Sequence, residues 1–85
     1  MELALYQTAH LLLLQGNIEA AEAAVNQISG DSHLAEQAMI MQAEILDYIH
    51  SDFTAAVDIY LEFLEQYPQS IYYDDVRMRL RELAG

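Results

Sequence analysis

Gly16-Asn17-Ile18-Glu19-Ala20-Ala21 is answered 35 residues later by Ser51-Asp52-Phe53-Thr54-Ala55-Ala56. Bulky residues recur in the same register beyond each copy, Val25 with Tyr60 and Ile28 with Phe63. A polar turn, an apolar residue and a small Ala three positions later mark the end of one helix and the start of a closely packed antiparallel one. Ala21 and Ala56 are the expected close-packing positions. A repeat of this length predicts stacked helical hairpins, an architecture that works chiefly by holding other molecules.

Working outward from the repeat, apolar periodicity predicts five helices. The first spans about Glu2 to Gln15 and stops at Gly16, a favourable residue just past a helix end. Asn17 is the expected N-cap of the second, whose inward residues are Ile18, Ala21, Val25 and Ile28. Gly30-Asp31-Ser32 breaks the chain, with Asp31 or Ser32 capping a third helix from about His33 to His50. That helix carries two apolar stripes, Leu34, Ala38, Met41, Ile45 and Ile49 on one and Ala35, Met39 and Leu46 on the other. Asp52 caps the fourth, with Phe53, Ala56, Val57, Tyr60, Leu64 and Tyr67 inward, and Pro68 ends it. Ser70 opens the fifth, with Tyr72, Val76, Leu80 and Leu83 inward. The expectation is one all-α domain over residues 1–85, made of stacked antiparallel helical hairpins. Repeat 1 covers about 2–30, repeat 2 about 33–68, and a final helix about 70–84 caps the stack or opens a third repeat.

Composition narrows the function classes. A chain of 85 residues is one small domain, burying roughly 60% of the surface its unfolded form exposes. There is no cysteine, which excludes disulfides and thiolate metal sites. The apolar run Leu11–Leu14 is far too short to cross a bilayer, and no basic segment precedes it as in a secretory signal. The chain therefore reads as a protein that stays where it is made, or as a mature or excised piece of a longer one. Three basic residues against fourteen acidic give a net charge of −11, which repels phosphate backbones and anionic lipid. No nucleic acid and no membrane insertion are expected. All three cations, Arg77, Arg79 and Arg81, fall in the last nine residues. Asp74 three before Arg77 and Asp75 four before Arg79 suggest local helix pairs, in a helix whose acids and cations suit its dipole.

The pattern Ser51-Asp52-Phe53…Ala56…Tyr60…Phe63…Pro68 resembles the second helix of the tetratricopeptide repeat. The first copy keeps Gly16, Asn17, Ile18, Ala21, Val25 and Ile28. The small position of each first helix matches Ala9 and Ala43, which lie 34 residues apart, so one extra residue is expected around His50-Ser51. The stretch from Tyr60 to Ser70, followed by Asp74-Asp75-Val76-Arg77, is similar to the bacterial envelope subset of that family, seen in outer-membrane-assembly lipoproteins and the Tol-Pal accessory protein. The resemblance spans essentially the whole chain. It implies a non-catalytic protein–protein interaction or scaffold module, and it allows either cytoplasm or bacterial periplasm. By analogy with the family, the first helix of each hairpin lines a concave face. The partner-facing residues there would be Tyr6, His10 and Leu13, with Gln37, Ile40, Glu44, Asp47 and Tyr48 on the third helix. A surface of apolar anchors and acids suits an extended peptide or a partner helix.

Catalytic, cofactor and metal patterns give nothing sharper. His10, His33 and His50 are far apart, and none forms a His-x-x-x-His or Glu-x-x-His pair. Asp47-x-x-His50-x-Asp52 and Asp31-x-His33-x-x-Glu36 read as capping and turn chemistry, and Asp74-Asp75 as the acidic start of a helix. No Gly-rich phosphate loop and no Gly-x-Ser-x-Gly elbow is present. The expectation is no enzyme activity, no cofactor and no metal. A small metal-binding or enzymatic helical protein is the alternative class, and a purely self-associating domain is another. The last follows from Leu11, Leu12, Leu13 and Leu14, which at about 100° per residue spread around most of the helix circumference. Leu3, Leu5 and Tyr6 widen that surface, so a homo-oligomer or a place in a longer repeat array is expected.

The charge imbalance yields a direct test. Fourteen acids facing three cations repel one another at neutral pH, and salt screens that repulsion. The melting temperature should rise between low and moderate sodium chloride. A clear fall would show that specific ion pairs outweigh the net repulsion.

Overall fold

A computed structural model describes residues 2–28, 30 and 33–84. All the regular elements among them are helical. The helices are α1 (Glu2–Leu14), α2 (Ile18–Asn26), α3 (Ala35–Glu44), α4 (Phe53–Gln66) and α5 (Tyr73–Ala84). A single π-helical segment, Ile45–Ile49, continues α3. The chain divides into two compact units, residues 1–41 and 42–85, with the division inside α3. The expected all-α class is what the molecule has. The proposed caps Asp31 and Ser32 lie outside the described residues.

In the first unit α1 packs on α2. The packing is close because the inward side chains are small: Ala9, Ala21, Ala24 and Val25 are buried, and Ala9 and Ala21 expose nothing. Gly16 adopts φ +79° at the end of α1. Its N–H donates to the Leu13 carbonyl at 3.0 Å, and the Asn17 N–H donates to the Leu12 carbonyl at 2.9 Å. Those two bonds are the Schellman termination, which satisfies carbonyls a helix end would otherwise orphan. Asn17 is the N-cap of α2 as expected, although its side chain makes no cap bond. Its carbonyl instead accepts from Ala21 N–H at 3.1 Å.

In the second unit α4 packs on α5 and on the π segment. Ala43, Ile45, Ala56, Tyr60, Phe63 and Val76 are its buried apolar residues. Asp52 caps α4 as expected, accepting from Ala55 N–H at 3.3 Å. The fifth helix starts at Tyr73 and not at Ser70; Ser70 forms the turn before it, its Oγ accepting from Tyr72 N–H at 3.0 Å.

The extra residue foreseen from the 34-against-35 spacing is the π segment. The end of α3 repeats the end of α1 with one residue inserted. Ser51 takes the place of Gly16 at φ +53°, and the Asp52 N–H reaches back to Leu46 at 2.8 Å, six residues away where Asn17 reaches five. The His50 N–H bonds Ile45 at 3.0 Å, a five-residue step. One added residue turns the side chains beyond it by about 100°. This moves Ile49 out of the expected stripe, leaving it 46% exposed, while Asp47, one turn beyond the buried Ala43, faces inward.

The two turns predict opposite responses to the same kind of change. Gly16→Ala should cost about 1 kcal/mol from backbone strain alone, since an added Cβ meets nothing within 4 Å. Ser51→Gly should stabilise by about 1 kcal/mol by relieving that strain. Chemical denaturation of both variants checks the pair, and equal signs would contradict the turn geometry.

Candidate functional site

Two features stand out, one in each unit. The first is polar and buried. The π segment carries Asp47, whose side chain is wholly buried in the second unit. Arg79, on α5, closes on it as a fork: Nε donates to Oδ2 and Nη2 to Oδ1, each at 2.7 Å. The Tyr60 hydroxyl, on α4, donates to Oδ2 at 2.9 Å. The outer nitrogen of Arg79, Nη1, donates to Glu82 Oε1 at 3.4 Å, and the guanidinium lies 4.9 Å from the centre of the Tyr48 ring, within cation–π reach. Two charge-assisted bonds in bidentate geometry are the strongest hydrogen bonds available to a carboxylate.

The ionisation states follow from that geometry. The Arg79 fork, aided by the Tyr60 hydroxyl and working against burial, holds the Asp47 carboxyl below its ordinary value. Burial, then the bond to Asp47, lifts the Tyr60 hydroxyl far above the ordinary phenol range, so it remains a donor. The bond to Asp47 likewise raises Arg79. Glu44 titrates above its ordinary value, through desolvation first and the Asp47 charge second. With three donors on it and no exposed surface, the Asp47 carboxylate has no free face to take a proton from a substrate. Its chemistry is that of a latch joining the end of α3, α4 and α5.

The residues expected to face a partner therefore part company. Asp47 and Tyr48 gather around Arg79 within the second unit, and Glu44 lies close enough to Asp47 to feel its charge. Asp47 is spent on that cluster and offers nothing to a partner, whereas Glu44 and Tyr48 remain exposed. In the first unit His10 is exposed, and Tyr6, Leu13, Gln37 and Ile40 are half-buried. Gln37 Oε1 is buried with no hydrogen-bond partner found. The expected Asp75–Arg79 pair does not form, because Arg79 is drawn to Asp47; Arg77 does pair with Asp74, at 3.5 Å on the surface. The roles of Arg79 and Tyr60 were not read from the sequence. Their signal was the scarcity of cations together with the extra residue beside an acid in an apolar stripe.

The second feature is apolar and exposed. At about 100° per residue, Leu3, Gln7, His10 and Leu14 form one line along α1. All four are exposed, Leu3 at 54% and Leu14 at 74%, with Leu11 beside them at 55%. Leu12, expected among the self-associating residues, is half-buried. From Leu3 to Ile18 the sequence has no Asp, Glu, Lys or Arg, although one residue in five of the chain is charged. Among the described residues no group of three or more His, Cys, Asp or Glu is placed to hold a metal, and no helix is long and apolar enough to cross a membrane. Comparison with protein-family models, with curated proteins and with solved structures finds no match.

Removing Arg79 would leave a buried, unpaired carboxylate, so Arg79→Ala should cost about 3 kcal/mol. The Asp47→Leu/Arg79→Met double variant should lose less than the sum of the two single changes. The pH profile follows from the two shifted acids. Glu44, raised, is relieved of an unfavourable charge as the pH falls towards its ordinary 4.5. Asp47, depressed, contributes stability above its ordinary 3.8 that is lost as the pH falls below it. Thermal melts should show stability rising slightly towards 4.5 and dropping below 3.8, with the lower limb flattened in Asp47→Asn.

Proposed function

We propose that this chain is a non-catalytic protein–protein interaction or assembly module of the helical-repeat kind, in keeping with the tetratricopeptide resemblance of its repeats. The observation that supports this most is the exposed, uncharged strip along α1. A 13-residue helix with one face packed on α2 presents Leu3, Leu11 and Leu14 to solvent in a stretch without charge. Apolar surface gathered in this way marks a place where another molecule sits. A helix with its own apolar stripe is the partner that such a surface accommodates, through side chains spaced at three and four residues. The buried Asp47 cluster serves the module by fixing α5.

A displayed panel of amphipathic helical peptides tests the reading. Binders should be recovered, and Leu11→Glu or Leu14→Glu should weaken them at least tenfold while circular dichroism stays unchanged, since a buried leucine is worth about 1.5 kcal/mol or more. A panel without binders, or binders indifferent to both substitutions, would overturn it.

A further inference from the structure

The exposed line on α1 has a symmetry of its own. Its members, Leu3, Gln7, His10 and Leu14, are spaced four, three and four residues apart. That spacing is unchanged when the helix is reversed. We infer that the occupant of this face is a second copy of the chain, its α1 running antiparallel about a two-fold axis midway between Gln7 and His10. This rests on the interaction reading above and names the partner. In that register Leu3 meets the partner's Leu14 at each end, and Gln7 meets the partner's His10 on both sides of the axis. Leu11 flanks the line and widens its apolar strip.

Three observations favour a second copy over another protein. The spacing of four, three and four is that of a two-helix seam, so the line is already shaped for a helix like itself. The polar pair falls at the centre, where an amide and an imidazole can hydrogen-bond. Sliding the register by a turn would bury one of them against leucine, which is how polar seam residues fix alignment. Charge settles where such a pairing can happen. Two copies at −11 each repel, and they can approach closely only through surface that carries no charge. Residues 3–18 supply it, and this stretch contains the whole line. A basic partner would be drawn elsewhere, to the surfaces bearing the acids.

The patch is short, about 20 Å for a 13-residue helix, so the dimer should be weak and visible at high micromolar concentration. Sedimentation of the unmodified chain should show reversible dimer there, with Leu14→Glu weakening association at least tenfold. Because the chain has no cysteine, single substitutions report the register cleanly. Mixing Leu3→Cys with Leu14→Cys under mild oxidation should give a disulfide-linked heterodimer. Leu3→Cys alone should not cross-link, because its two copies would lie about 16 Å apart along the axis, beyond the ~7 Å reach of a disulfide. A strict monomer at high micromolar concentration overturns the inference, and leaves the outcome of the peptide panel standing by itself. Self-cross-linking of Leu3→Cys as fast as the mixture overturns the antiparallel register.

Discussion

A carboxylate taken out of water must be met by charge and by donors, and Asp47 is met by both. Desolvating the ion costs several kcal/mol, which the bidentate Arg79 fork and the Tyr60 hydroxyl offset only while all three groups hold their geometry. That requirement reaches through the second unit. It involves the π segment, which carries Asp47. It needs a tyrosine on α4 where the first copy of the repeat has Val25. It needs α5, which otherwise rests on Val76 as its one buried side chain together with half-buried Tyr73, Leu80 and Leu83. One ion pair thus ties together three elements that hydrophobic packing alone would join loosely.

The first unit is built on the opposite principle. Its helices meet through alanines, Ala9 and Ala21 above all, whose short side chains let the backbones come close. The larger side chains of α1 spread around the helix, so packing one face on α2 cannot cover them. Leu12 and Leu13 are partly covered and Leu11 and Leu14 are not. The exposure of Leu11 and Leu14 is the direct result of four consecutive leucines on a helix of 3.6 residues per turn.

Helix number, the turns at Gly16 and Ser51, and the buried Ala21, Ala56 and Tyr60 were legible in the sequence, whereas Phe53, expected inward, is exposed and Phe63, outside the expected stripe, is buried. The legible features depend on local periodicity and on a repeat that can be checked against itself. The mismatch between Ala9–Ala43 and Gly16–Ser51 even announced an inserted residue. What it did not reveal was the consequence, because a π turn changes which face a side chain takes without changing composition. Ile49 leaves its expected place for that reason. Arg79 was assigned to Asp75 on helix spacing, yet a surface pair at that spacing is worth a few tenths of a kcal/mol. Satisfying a buried carboxylate outweighs it. Such a partner, 32 residues away in sequence, leaves no local trace. In the candidate interaction surface the exposed leucines were legible, whereas the fate of Asp47 was not.

The distance between Asp47 and Arg79 also sets an order in time. On the ribosome, Asp47 and then Tyr60 emerge well before the arginine that neutralises the carboxylate. Until then the acid must stay hydrated, and the end of α3 and α4 cannot settle into their final arrangement without burying a bare charge. The first unit has no such wait, since α1 and α2 are adjacent in sequence and meet through alanines. The nascent chain should accordingly acquire its structure in two stages. The arrival of a single guanidinium marks the moment at which the second unit becomes resistant to proteolysis.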